Sequence, residues 1–221
     1  MSSAAVPAPD DVAGGPRPRG NNKRGAKTRA ELIDAAAACF SEYGYTQTRI
    51  SDIVHRAGVS QGNFYRHFTS KREVFLEALQ PSLDALRAAS SRGPALHDQH
   101  DVATLVAITD AFFVAYSRHR HLLRVMREAA AVGGDDNFAE LWLHTRGAFV
   151  TRTLGWLERL HAAGKIGPGN LPMLAEALGC MIEQVAYVNI GFPPQAPRPE
   201  TMHQLAQTVG EVWFRALPPR V

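Results

Sequence analysis

The feature that most limits what this chain can become is its period. From Thr28 onward, apolar residues recur three and four positions apart in segment after segment, Gly or Pro marks the breaks, and no run sustains the apolar/polar alternation of a strand. The pattern predicts an all-α fold. No internal repeat of fixed period is present, so the helices are not a stacked array. Before Thr28 the period is absent: the first twenty residues are rich in Ala, Pro, Gly and Asp, and residues 1–22 are expected to be a disordered tail.

The first helix is expected to open at Thr28, where Thr-Arg-Ala-Glu has the spacing of a capping box, to carry Leu32, Ile33, Ala36, Phe40 and Tyr43 on one face, and to end at Gly44. Thr48 is the expected cap of a second helix with Ile50, Ile53, Val54 and Ala57 inward and Gly58 as its stop. A third helix starts from Ser60, and a fourth comes after Ser70, with Pro81 bending or interrupting it. Five more are read at about 102–116, 119–131, 137–163, 171–190 and 201–217. The breaks fall at Gly93-Pro94, Gly133-Gly134, Gly164 to Gly169 and the stretch GFPPQAPRPE.

Charge separates the front of the chain from the rest. Residues 21–72 hold nine Lys or Arg against four Asp or Glu, whereas residues 73–221 carry a slight acidic excess within an overall charge of +3. A polyanion such as double-stranded DNA suits the first part and not the second. The segment Gly58-Val59-Ser60-Gln61-Gly62 matches the G-x-S-x-G of a hydrolase nucleophile elbow, but an elbow needs a strand in front of it, and the residues before Gly58 have a helical period. Ser60 reads better as the cap of a helix that enters a major groove, and no catalytic residue is assigned.

Thr28 to Leu79, TRAELIDAAAACFSEYGYTQTRISDIVHRAGVSQGNFYRHFTSKREVFLEAL, resembles the DNA-binding domain of TetR-family transcriptional regulators over its whole length. The matching features are the opening Thr-Arg, Phe40 with Gly44-Tyr45, the Ala57-Gly58-Val59-Ser60 turn, and FYRHFTSK; Gln61 and Arg49 depart from the commonest pattern. The resemblance implies a three-helix helix-turn-helix domain at 23–80, then a larger helical ligand-binding and dimerisation domain at 81–221. It implies phosphate contacts from Tyr65, His67 and Lys71, and a homodimer through the last two helices. The expected function is a repressor released from a palindromic operator by a small hydrophobic effector. The residues themselves offer Gln61 and Asn63 for adenine and Arg66 for guanine, Thr48 for a phosphate, and Lys23, Arg24 and Lys27 as a basic extension. With Arg49, Ser60 and Gly62 they complete the candidate DNA-binding set.

Phe112, Phe113, Tyr116, Met126, Trp142, Phe149, Trp156, Met181, Gln184 and Tyr187 are the candidate ligand-binding residues, as aromatic, soft and polar side chains inside helices. Neither His97/His100 nor His119/His121 has metal-ligand spacing, and no cofactor is expected. Cys39 and Cys180 are read as buried thiols. Asp110 and Glu183 interrupt the two longest apolar runs and no signal-peptide pattern opens the chain, so a cytoplasmic location without a membrane partner is expected. Two alternatives remain: a serine hydrolase through Ser60, and a carrier of apolar ligands.

Overall fold

A computed structural model describes residues 20–90, 101–132 and 137–219. The described residues form eight α-helices and no strand: α1 Gly20–Gln47, α2 Ile50–Ala57, α3 Gln61–Tyr65, α4 Lys71–Ser90, α5 Val102–Val132, α6 Phe138–Ala162, α7 Leu171–Ala186 and α8 Pro199–Ala216. A π-helical turn, Tyr187–Gly191, continues α7.

Helix α1 starts earlier than Thr28, so the expected capping box lies inside a helix. Pro18 is the last proline before it, and Lys, Arg and Ala then support helix back to Gly20. Residues 1–19 of the expected tail lie outside the described residues, as do Gly93-Pro94, Gly133-Gly134 and the His97/His100 pair. Gly44, at φ 77°, breaks the α1 geometry as expected. The kink rotates the backbone beyond it: Tyr43 is 46% exposed, against the expectation that it is core, and Tyr45 takes the buried place at 9%.

Thr48 is buried rather than a cap. Its hydroxyl donates to Gly44 O at 2.7 Å and Cys39 O at 3.2 Å, leaving Arg49 as the residue that caps α2. Asp52 completes that end by accepting from the Arg49 N–H at 2.8 Å. Gly58 closes α2 at φ 66°, where a Cβ would meet nothing; the left-handed backbone, not crowding, asks for glycine. At the head of α4, Ser70 Oγ accepts from Glu73 N–H at 3.1 Å while Glu73 reaches back to Thr69.

Two expected breaks are absent. Helix α4 runs through Pro81, held by buried Leu79, Ser82 and Leu83, so the expected boundary at 80/81 falls inside one continuous helix. Helix α5 also continues past residues 117–118, since neither Gly nor Pro stands there to stop it.

Phe40, Phe64, Phe68, Val74 and Phe75 pack α1 to α4 together at 0–1% exposure. Phe138, the first residue of α6, joins the same cluster, with its ring centroid 4.5 Å from Tyr45 and 5.2 Å from Phe75. The larger part is a bundle in which α8 lies on α5 and α7 on α6. A Cβ on Gly210 of α8 would come within 2.8 Å of the Val106 backbone nitrogen, so only glycine permits that approach. Arg120, 6% exposed, donates to Ile190 O, Pro193 O and Pro194 O at 2.7–3.0 Å and satisfies carbonyls freed where the π turn ends.

Leu171–Gly191 is long and apolar enough to cross a membrane by length and composition, although Glu183 was expected to interrupt it. Its position explains the apolarity in part: Leu171, Ala175, Leu178, Ile182 and Ala186 face the bundle. Cys39 is buried as expected, whereas Cys180 is exposed beside Arg146.

Candidate nucleic-acid interface and ligand cavity

Helix α3 is too short to be stable alone, and its surroundings hold it. Ser60, extended at φ −81° and ψ 158°, accepts from Asn63 N–H at 3.2 Å. Phe64 is fully buried, Phe68 turns inward after it, and the Arg29 guanidinium lies 4.9 Å from the Phe68 ring centroid. This anchoring turns the other side of the helix outward. Gln61, Gly62, Tyr65 and Arg66 are exposed, and Asn63 and His67 are half-buried.

Two neighbours frame this face, and one glycine lies within it. A Cβ on Gly62 would find nothing nearer than Ser60 Oγ at 4.0 Å, so packing does not demand glycine there. A Cβ on Gly25 would lie 4.0 Å from the His67 ring, which brings the first turns of α1, with exposed Lys23, Arg24 and Lys27, beside the end of α3. Arg49 is exposed at the start of α2.

Two expected phosphate donors have other tasks. The Thr48 hydroxyl is spent on backbone carbonyls, which withdraws it as a DNA contact. The Lys71 ammonium donates to Tyr45 O at 2.9 Å and Thr48 O at 3.0 Å, 4.4 Å from the Tyr45 ring centroid, and so clasps the α1–α2 junction to the head of α4. For Ser60 the elbow geometry is missing: helix α2, not a strand, precedes it.

Two open lobes that share part of their walls lie in the bundle. The narrower, about 130 Å³, lies among α4, α5, α6 and α7; the wider, about 480 Å³, extends toward α8 and Trp213. Phe112, Phe149, Arg152 and Ile182 belong to both walls. The narrow lobe is framed by charge: Glu183 accepts from Trp142 Nε1 at 2.9 Å and lies 3.6 Å from both Arg127 and Arg146. Burial pushes the Tyr116 phenol far above its ordinary range, so it faces the cavity as a neutral hydroxyl.

Residues 32–78 match the family of bacterial regulatory proteins, tetR family. Over that stretch, which runs from α1 into α4, the chain is similar to TetR-family proteins. The transcriptional activator FasR of Mycolicibacterium smegmatis is 40% identical over 75 residues, 32% of this chain and 34% of that protein. The A-factor receptor protein of Streptomyces griseus is 25% identical over 88% of this chain and 64% of its own length. The chain therefore spans from about a third to just under two thirds of the length of these curated relatives. The crystal structure of a TetR-family transcriptional regulator from Mesorhizobium loti superposes with a TM-score of 0.67 at 21% identity, covering 88% of this chain and 98% of that one. That likeness is one of fold, and it runs through the helical bundle as well as the first four helices.

Within this fold the expected ligand residues divide. Phe112, Tyr116, Met126, Trp142, Phe149 and Trp156 line the lobes. Phe113, Met181, Gln184 and Tyr187 do not: Phe113 is fully buried core, Gln184 is exposed and accepts from Arg127 at 2.7 Å, and Tyr187 packs under the Arg127 guanidinium. What sequence reasoning passed over is the set of cavity arginines, Arg87, Arg127, Arg146 and Arg152. The available signal was Arg within otherwise apolar helical stretches.

Proposed function

We propose that this protein is a ligand-responsive DNA-binding transcriptional regulator that acts as a homodimer. The observation that carries this reading is helix α3: capped by Ser60 and pinned by Phe64, it presents Gln61, Asn63, Tyr65, Arg66 and His67 on one outward polar face. A face of this size fits a major groove about 12 Å wide. Gln61 and Asn63 suit adenine, Arg66 suits guanine, and the Tyr65 hydroxyl and His67 ring suit phosphates that set register without reading sequence.

One such helix reads too few bases for a unique site, and a two-fold dimer supplies a second half-site about 34–36 Å away. The surface suited to that dimer is on the last two helices and the π turn between them, where Met173, Val188, Phe192, Val212 and Phe214 are exposed. The operator is then a near-palindrome. Repression needs nothing beyond occupation of a promoter, whereas activation needs a further contact with the transcription machinery; repression is the simpler assignment.

The effector belongs in the two lobes, which offer mostly apolar walls and a few polar groups. Helix α6 provides the coupling: Trp142, Phe149 and Trp156 line the lobes, and Phe138 at its start is wedged against Tyr45 and Phe75 under the DNA-facing helices. An effector that favours another setting of α6 moves Phe138 and shifts the distance between the two recognition helices. About 1–3 kcal/mol of coupling suffices. The test is selection from random duplex DNA at roughly physiological salt: a two-fold motif is expected, and its absence, repeated with cell extract present, would defeat the reading.

A further inference from the structure

The cavity arginines are not equivalent. Arg87 pairs with Asp84 at 2.7 Å; Arg146 pairs with Glu176 at 2.6 Å and Glu183 at 3.6 Å; Arg127 donates to Gln184 and lies 3.6 Å from Glu183. Arg152, on α6 at the junction of the two lobes, has no carboxylate among the described residues. Its Nη2 reaches Ser90 Oγ at a long 3.4 Å, its Nε is shielded from solvent without a partner, and the Phe149 ring lies 5.9 Å away. Burial and the neighbouring Arg87 both depress its affinity for a proton, so the site holds this cation at a cost. Arg159, which also lines the wider lobe, is already engaged.

A half-buried guanidinium without a counter-charge, facing an apolar cavity, is complementary to one kind of molecule. We propose that the effector is an apolar carboxylic acid whose carboxylate is held by Arg152 while its hydrocarbon or ring body fills the wider lobe among Leu105, Ile108, Trp156 and Trp213. The inference rests on the reading of the helical part as the effector-binding part. A planar guanidinium holds a carboxylate through two parallel hydrogen bonds, and the pair is strengthened away from water. A single unpaired cation matches a single negative charge. A phosphate would bring nearly two, and the other cavity arginines already have partners.

The experiment is calorimetric titration of the full chain with octanoic acid against octan-1-ol and 1-naphthoic acid against 1-naphthalenemethanol, near pH 7.5, with DNA retention on the selected operator measured in the same samples. Each acid is expected to bind about tenfold tighter than its alcohol. Arg152→Met is expected to reduce the acid to the affinity of the alcohol while leaving the alcohol within about twofold, and Arg152→Lys to recover part of the difference. Circular dichroism of both variants reports folding, and alcohol binding reports an intact cavity. Equal binding of acid and alcohol, an acid preference that survives in Arg152→Met, or no binding of either acid would overturn the inference. Selective acid binding with no effect on DNA retention would count against the regulator reading and leave the acid assignment standing; DNA release equal for acid and alcohol would do the reverse.

Discussion

The front of this chain seals its core phenylalanines, whereas several aromatic residues of the back line a cavity. In α1 to α4, Phe40, Phe64, Phe68 and Phe75 are sealed at 0–1% exposure, and neither lobe of the cavity reaches them. In the bundle, Trp142 and Phe149 are half-buried and stand around space, beside guanidiniums that a dry core would exclude. A surface that must match a groove to within fractions of an ångström requires a rigid support, whereas a surface that must admit a small molecule gives up packing for room. Phe138 is where the two regimes meet, an α6 residue inside the rigid cluster.

The largest expected effect tests that contrast directly. Phe75→Ala is expected to cost about 3–5 kcal/mol in urea unfolding and abolish DNA retention, because it empties a site that Phe40, Tyr45 and Phe138 all touch. Phe149→Ala, at the wall of an existing cavity, is expected to cost about half as much and spare helices α1 to α4. Equal losses would mean that the bundle is packed as tightly as the front, and the division into reader and sensor would fail.

Asn63→Ala comes next. It removes a side chain that supports no core, so the melting temperature is expected to hold while preference for the selected operator over a half-site variant falls by about 1–3 kcal/mol. Lys71→Ala is the sharpening control: since its ammonium clasps Tyr45 O and Thr48 O, it is expected to lower stability as well as affinity for every sequence. If Lys71→Ala left stability intact, the clasp would be incidental. Smaller again is Ser60→Ala, which deletes the bond to Asn63 N–H and is expected to cost about 1 kcal/mol of stability, read by chemical denaturation.

Local chemistry accounts for what was legible in the sequence. Ser60, Ser70 and Gly58 act within three or four residues of themselves, so the turn of the helix-turn-helix and the caps on either side could be read from spacing. The outward set on α3 could be read because Phe64 and Phe68 face inward. What escaped depends on distant partners. Tyr43 and Tyr45 exchange places because Gly44 rotates the backbone between them, and Thr48 looked like a cap until Cys39 and Gly44 offered it carbonyls. The arginines of the cavity were illegible for the same reason: Arg146 and Arg152 stand six residues apart on one helix, and only the tertiary fold gives the first Glu176 and leaves the second without a carboxylate among the described residues.

The smallest expected effect is also the finest probe of the front surface. Glycine inside a helix costs about 0.5–1 kcal/mol relative to alanine, and at Gly62 nothing in the protein repays that cost, since a Cβ there would meet only open space around Ser60 Oγ. Gly62→Ala is therefore expected to raise stability by up to about 1 kcal/mol. On the proposed interface the added methyl stands between Gln61 and Asn63 on the side that approaches DNA, so affinity for the operator is expected to fall even as the fold gains. A gain in stability with unchanged affinity would place Gly62 off the interface and rotate the assigned reading face away from Tyr65 and Arg66, which share its side of the helix, toward Asn63 and His67.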